Sequence, residues 1–164
     1  MGKKCPTTYL PSILETAEAD VLYAELVKLP WSDGIKSKNG FTRKAYVVKQ
    51  DDKISEKLIL LIGKVLANFK LNLGEKMPST YELAGIYINY YENGNMYTPN
   101  HSHKGTHQLI ISLGATRTLT IAKKSLQMSH GDCALFGSSV HGVPKEPAMK
   151  SGRISIAAFL VQEK

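Results

Sequence analysis

Hydrophobic residues change their spacing near residue 84. Upstream they recur every three or four positions, and downstream they alternate with polar ones. Val21, Leu22, Ala24, Leu26 and Val27 form a first helical stripe, which Pro30 ends. Ser12 and Glu15 have capping-box spacing, and Thr16 is an equally good start. A second helix is expected over 52–69. There Ile54, Leu58, Leu61, Ile62, Val65, Leu66 and Phe69 follow the spacing of one buried face. From 84 on, Ile86, Ile88 and Tyr90 point one way, while Tyr87, Asn89 and Tyr91 point the other. Further strands are expected at 108–113, 117–122, 126–128, 133–136 and 153–161, separated by Gly, Asn, Pro and Asp.

Many short strands with turn signals indicate a mainly β, α+β fold: a double-stranded β-helix (jelly roll) with the N-terminal helices packed outside. One domain is expected over 1–164, with helices and a substrate lid in 1–83 and the jelly-roll core in 84–164. Between the helices, the stretch 31–50 carries Lys36, Lys38, Arg43 and Lys44 interleaved with Trp31, Phe41 and Tyr46. Cations meet phosphates and rings stack on bases, so this composition suits nucleic acid. It equally suits a solvated loop leading into an edge strand over 41–48.

Composition narrows the picture. Hydrophobic residues are 43% and charged residues 21%, which excludes a disordered or fibrous chain. The longest apolar run is too short to cross a bilayer, and no apolar segment follows the basic start, so neither a membrane partner nor a signal peptide is expected. Cys5 and Cys133 form no disulfide framework, which points to a reducing intracellular compartment, cytoplasmic or nuclear. The net charge of +7 favours an anionic partner.

The chemistry concentrates in the histidines. His101 and His103 share a face if extended, and a folded-back sheet brings His141 to them. Two ligands from one strand and one from a distant strand can hold a metal and leave open positions. His107, at a strand entry, could substitute; His130, in a His-Gly-Asp turn, reads as structural.

Asn89, Tyr91 and Gly94, then His101, Ser112-Leu113-Gly114, His130-Gly131-Asp132, His141 and Arg153 stand in the order of the AlkB family's pattern. Tyr9-Leu10-Pro11, Trp31 and Thr42-Arg43-Lys44 extend the likeness over nearly the whole chain. The chain thus resembles the iron- and 2-oxoglutarate-dependent dioxygenases that oxidatively demethylate alkylated DNA or RNA. The resemblance implies Fe(II) on His101 and His141, with 2-oxoglutarate and oxygen as cosubstrates. Arg153 would pair with the distal carboxylate, helped by Tyr91. Asn89 would meet the keto-acid end, and Ser155 would share the Arg153 face. Arg43, Lys44 and Tyr46 would line the entry for substrate, in a monomer.

Two positions depart from that pattern. His103 replaces the carboxylate ligand, and Phe159 replaces a second arginine six positions after Arg153. One negative and one positive charge are lost together, so the pocket's net charge is kept. Three imidazoles accept Fe(II) but also Zn, Cu or Ni. Two alternatives follow: a three-histidine cupin-type dioxygenase without 2-oxoglutarate, and a non-catalytic nucleic-acid-binding module with a metal.

Overall fold

The computed structural model describes residues 4–32, 36–37, 40–77 and 80–163. The chain begins with β1 (Thr8–Leu10) and α1 (Thr16–Leu26), followed by a short hairpin, β2 (Lys36–Ser37) and β3 (Gly40–Phe41). Then come β4 (Lys44–Val47) and α2 (Lys53–Leu73). The remainder is β5 (Tyr81–Tyr91), β6 (Thr98–His101), β7 (His107–Gly114), β8 (Arg117–Ile121), β9 (Lys124–Met128), β10 (Cys133–Phe136), β11 (His141–Val143) and β12 (Arg153–Gln162). Lys38 lies outside the described residues, as do the side chains of Lys36 and Phe41.

All strand pairings are antiparallel. A large sheet runs β1-β10-β7-β12-β5-β4, and a smaller one runs β6-β11-β8-β9. The two sheets face each other as an open jelly roll, with both helices on the outer face of the large one. The expected fold class is therefore found.

The two residue sets of each long strand separate two cores. On β5, Ile86 and Ile88 join the helix-side core, and on β12 Ile154, Ile156, Ala158 and Leu160 do the same. Tyr91 and Ala157 belong to the core between the sheets. The buried stripe of α2 runs from Ile54 through Leu58, Ile62 and Val65 to Phe69, as its spacing predicts. Burying such a side chain contributes about 1.5–3 kcal/mol.

The expected ends shift modestly. The second helix runs one turn further, to Leu73. In the first, Glu15 is the cap residue and makes no side-chain capping bond, so Thr16 is the actual start. Val21 is exposed, whereas Ala19, Leu22 and Leu26 are buried. The stripe thus runs at three-to-four spacing through Ala19, not through Val21.

Loops that carry the strands into the site are packed against one another. Gly94 donates its N–H to the Met149 carbonyl and accepts from the Glu146 N–H, both at 2.8 Å. A Cβ at Gly94 would collide with the Glu146 carbonyl. Arg117, wholly buried, donates to the carbonyls of Asn93, Met96 and Pro144 and so clamps the same two loops. Gly94→Ala is expected to cost about 3 kcal/mol, the upper part of the overpacking range, measured as a lower urea midpoint.

Candidate metal centre and its cavity

Three imidazoles converge where β6 and β11 meet. His101 closes β6 and pairs in register with His141, the first residue of β11. His103 follows two residues later in the loop. Their candidate ligand atoms all lie within 4.8 Å of one another. An ion about 2.1 Å from each nitrogen, with open positions beside it, brings any two to about 3.0–3.4 Å, so the widest pair must close by somewhat more than an ångström to bind one.

Hydrogen bonds have already chosen the tautomer of two rings. His101 Nδ1 donates to the Pro99 carbonyl at 2.8 Å, and His141 Nδ1 donates to the Ser139 carbonyl at 2.9 Å. A carbonyl can only accept, so in the neutral ring the lone pair is left on Nε2, where a metal takes it. Burial, above all, pushes the His141 pKa down to about 4; the Ser139 carbonyl opposes this, and the neighbouring rings add to it. Burial also lowers His103, with His101 contributing.

Gly142 makes this meeting of strands possible. A Cβ there would lie 2.5 Å from Asn100 Oδ1 and 2.8 Å from the Thr98 carbonyl. Only a bare Cα lets β11 approach β6 closely enough for His141 to reach His101.

Beside the histidines, a cavity of about 430 Å³ opens between the sheets. Asn89, Tyr91, Arg153 and Ser155 all line it, because the register places Arg153 opposite Tyr91 and Ser155 opposite Asn89. Arg153 is 1% exposed. Its Nε donates to Ser112 Oγ at 2.9 Å, and the guanidinium lies 5.4 Å from the centre of the Tyr91 ring. Both terminal nitrogens are buried without a hydrogen-bond partner. Burial lowers the Arg153 pKa, with Arg117 adding to this while Tyr91 and Glu146 oppose it. Tyr91 Oη and Thr98 Oγ1 share a 2.6 Å hydrogen bond. One hydroxyl proton is used between them, and the other can be given to a ligand.

Of the three residues expected at the substrate entry, Arg43 lines the cavity and its two neighbours do not. Arg43 lines the space and donates through Nε to Asn89 Oδ1 at 2.9 Å. Lys44 and Tyr46 are not brought in: on β4 they alternate with Ala45, which stands opposite Asn89. Lys44 pairs with Glu92, while Tyr46 packs into the helix-side core and bonds Asp52. His107 does not join the metal set either; it meets Tyr81 Oη through Nδ1 at 2.6 Å. His130 accepts from the Gly114 N–H and meets Asp20 at 2.8 Å, which is a structural role.

The sequence did not single out Thr98 or Gln108, and Ser112 stood out only as part of the Ser112-Leu113-Gly114 motif; all three are buried polar side chains, a weak signal that only burial makes specific. The departure at 159 is legible in contact: the Phe159 ring stands edge-to-face on His103 at 4.9 Å.

No protein-family model and no curated protein sequence matches the chain. Solved structures do. The non-heme alpha ketoglutarate dependent epimerase SnoN from nogalamycin biosynthesis aligns with TM-score 0.73 and 14% identity, over 97% of this chain and 78% of that one. A 2OG-Fe(II) oxygenase family oxidoreductase from Burkholderia pseudomallei gives 0.71 and 16%, over 96% and 86%. A viral collagen prolyl hydroxylase from Paramecium Bursaria Chlorella virus-1 gives 0.65 and 14%, over 94% and 96%. The chain therefore has the jelly-roll fold of 2-oxoglutarate/Fe(II) oxygenases. The shared fold is that of the wider class and does not single out an AlkB branch. Among the described residues, no helix is long and apolar enough to cross a membrane.

Neutral His141 is the native form, whereas the unfolded chain protonates near the ordinary histidine value of about 6.5. Between about 6.5 and about 4 the unfolded state binds more protons, so stability is present above that window and is lost as pH falls through it. The Tm of the metal-free protein is expected to drop over this range, and His141→Gln should flatten the drop.

Proposed function

We propose that the chain is a 2-oxoglutarate- and Fe(II)-dependent oxygenase with a three-histidine centre. The observation that carries this reading is the buried Arg153 guanidinium, with two unpartnered nitrogens in the cavity that the three imidazoles also line. A buried cation without a partner is costly, and a carboxylate fits its planar fork. The fold, shared with 2-oxoglutarate oxygenases, supports the same ligand.

His101, His103 and His141 would hold the metal through neutral imidazole nitrogens. Arg153, oriented by Ser112, would grip the distal carboxylate, with a hydroxyl proton of Tyr91 or Thr98 as a further donor. Asn89 and Ser155 would line the path between anchor and metal. The walls of Ile110, Leu119 and Val143 exclude water from that path. When bound, the metal and cosubstrate would supply oxidative chemistry, in which O2 converts 2-oxoglutarate to succinate and CO2 and hydroxylates a substrate C–H bond.

The finer reading is an AlkB-like single domain acting as an intracellular monomer on N-methylated DNA or RNA, whose hydroxylated methyl group leaves as formaldehyde. The net charge of +7 and Arg43 at the cavity support a polyanionic substrate. Free thiols at Cys5 and Cys133 agree with a reducing compartment. Lys44 and Tyr46 are not part of this proposal.

Succinate release with Fe(II) and 2-oxoglutarate tests the reading. Arg153→Met should weaken 2-oxoglutarate binding at least about thirtyfold, the loss of a buried charge pair, while metal binding is retained. His103→Asp restores a carboxylate ligand and is expected to raise the rate of succinate release. Absence of turnover in both the native chain and His103→Asp, with stoichiometric zinc in the purified protein, overturns the oxygenase.

A further inference from the structure

Beyond the cosubstrate anchor, the same cavity holds a second buried donor with nothing to bind. Gln108, on β7, is 2% exposed, and its Nε2 is buried without a hydrogen-bond partner. Its neighbours Leu109 and Ile111 face the helices, whereas Gln108 and Ile110 line the cavity. An unpaired buried amide destabilises a fold, so a ligand is the natural partner for it.

Register fixes where this donor sits. Gln108 stands opposite Phe159 on β12, and Phe159 touches the His103 ring. Tyr87 also meets Phe159 edge-to-face, with ring centres 4.9 Å apart. Ser112, which holds Arg153, lies four residues along β7, about 13 Å away. A five-carbon diacid anchored there spans about 6 Å, less than the distance to Gln108. The space between His103 and Gln108 is thus left for the substrate.

Charge narrows what enters. Among the described residues, no Asp or Glu lines the cavity, while Arg43 and Arg153 do. With Arg153 paired to the cosubstrate, a cation finds Arg43 and no carboxylate side chain. A flat uncharged group finds aromatic walls and an amide donor.

We infer that Gln108 orients the substrate, and that the subsite it forms with Phe159 and Tyr87 takes an uncharged planar group presenting a carbonyl oxygen. This rests on the oxygenase reading and on its N-methylated nucleic-acid substrate, and deepens the latter: an N-methylated base that stays neutral, such as a cyclic imide, in preference to one made cationic by methylation.

The test is calorimetry on the protein loaded with Fe(II) and 2-oxoglutarate without oxygen, titrated with 3-methylthymidine (neutral) and 1-methyladenosine (a cation near pH 7). The neutral nucleoside should bind at least tenfold tighter. Gln108→Leu should weaken it about tenfold, the worth of one hydrogen bond. The same variant should raise Tm by roughly 2–4 °C, because a buried unpaired amide is removed. Gln108→Glu should reverse the preference toward the cation. Unchanged binding in Gln108→Leu, a lowered Tm in that variant, equal or tighter binding of 1-methyladenosine, or no binding of 3-methylthymidine overturns the inference. Retained 2-oxoglutarate affinity alongside such a result leaves the oxygenase standing. Loss of the Arg153 dependence fells the oxygenase instead.

Discussion

A guanidinium sealed between two sheets with two of its three nitrogens unpaired governs this molecule. Arg153 receives one hydrogen bond partner, Ser112, and the face of one ring, Tyr91. Neither replaces the water it has lost. Everything around it serves to keep that charge in place: Arg153 opens β12 between β5 and β7, and both neighbours are locked in register along most of its length. Arg117 sits on Tyr91 as well, at 5.3 Å from the ring centre, and ties the loops that close this end of the cavity. A cavity built around an unsatisfied planar cation suits a carboxylate.

The centre itself balances charge in an unusual way. Position 103 offers a neutral ring, and position 159 offers a phenyl group packed against it. A carboxylate at 103 would face that phenyl with no cation to pair it, and an arginine at 159 would face an imidazole. Both positions are half-buried, so in the metal-free protein either change alone would set a charge against an uncharged neighbour, at a cost that solvent reduces. The two residues therefore belong together. His101 and His141 are pinned by backbone carbonyls, while His103 is held by ring contacts with His101 and Phe159.

The His-Gly-Asp turn shows how the helical part is fastened to the jelly roll. Asp132 accepts from Tyr9 Oη, the Ser12 N–H and the Ser129 N–H, so one carboxylate joins the first strand to the turn. His130 reaches Asp20 on the first helix. Gly131 adopts a φ of 89°, and a Cβ there would press on the Leu14 carbonyl at 2.6 Å. The turn whose histidine read as structural in the sequence is here a latch.

Local patterning determined much of this from the sequence. The α2 stripe, the two faces of β5 and the position of Arg153 in an apolar strand were legible because burial imposes periods of 3.6 and 2 on the residues themselves. The short strands β6 and β11 were not, since each holds too few residues to show a period and owes its existence to its partner. The turning away of Lys44 and Tyr46 was hidden for a similar reason: a one-residue shift in register exchanges the faces of an edge strand, and only pairing with β5 sets it. The meeting of His101, His103 and His141 was expected from their spacing and order, and the pairing of β6 with β11 realises it; the unpaired state of Arg153 and Gln108 was decided by tertiary structure alone. Whether a polar atom finds a partner depends on neighbours from distant strands, and no spacing along the chain records that.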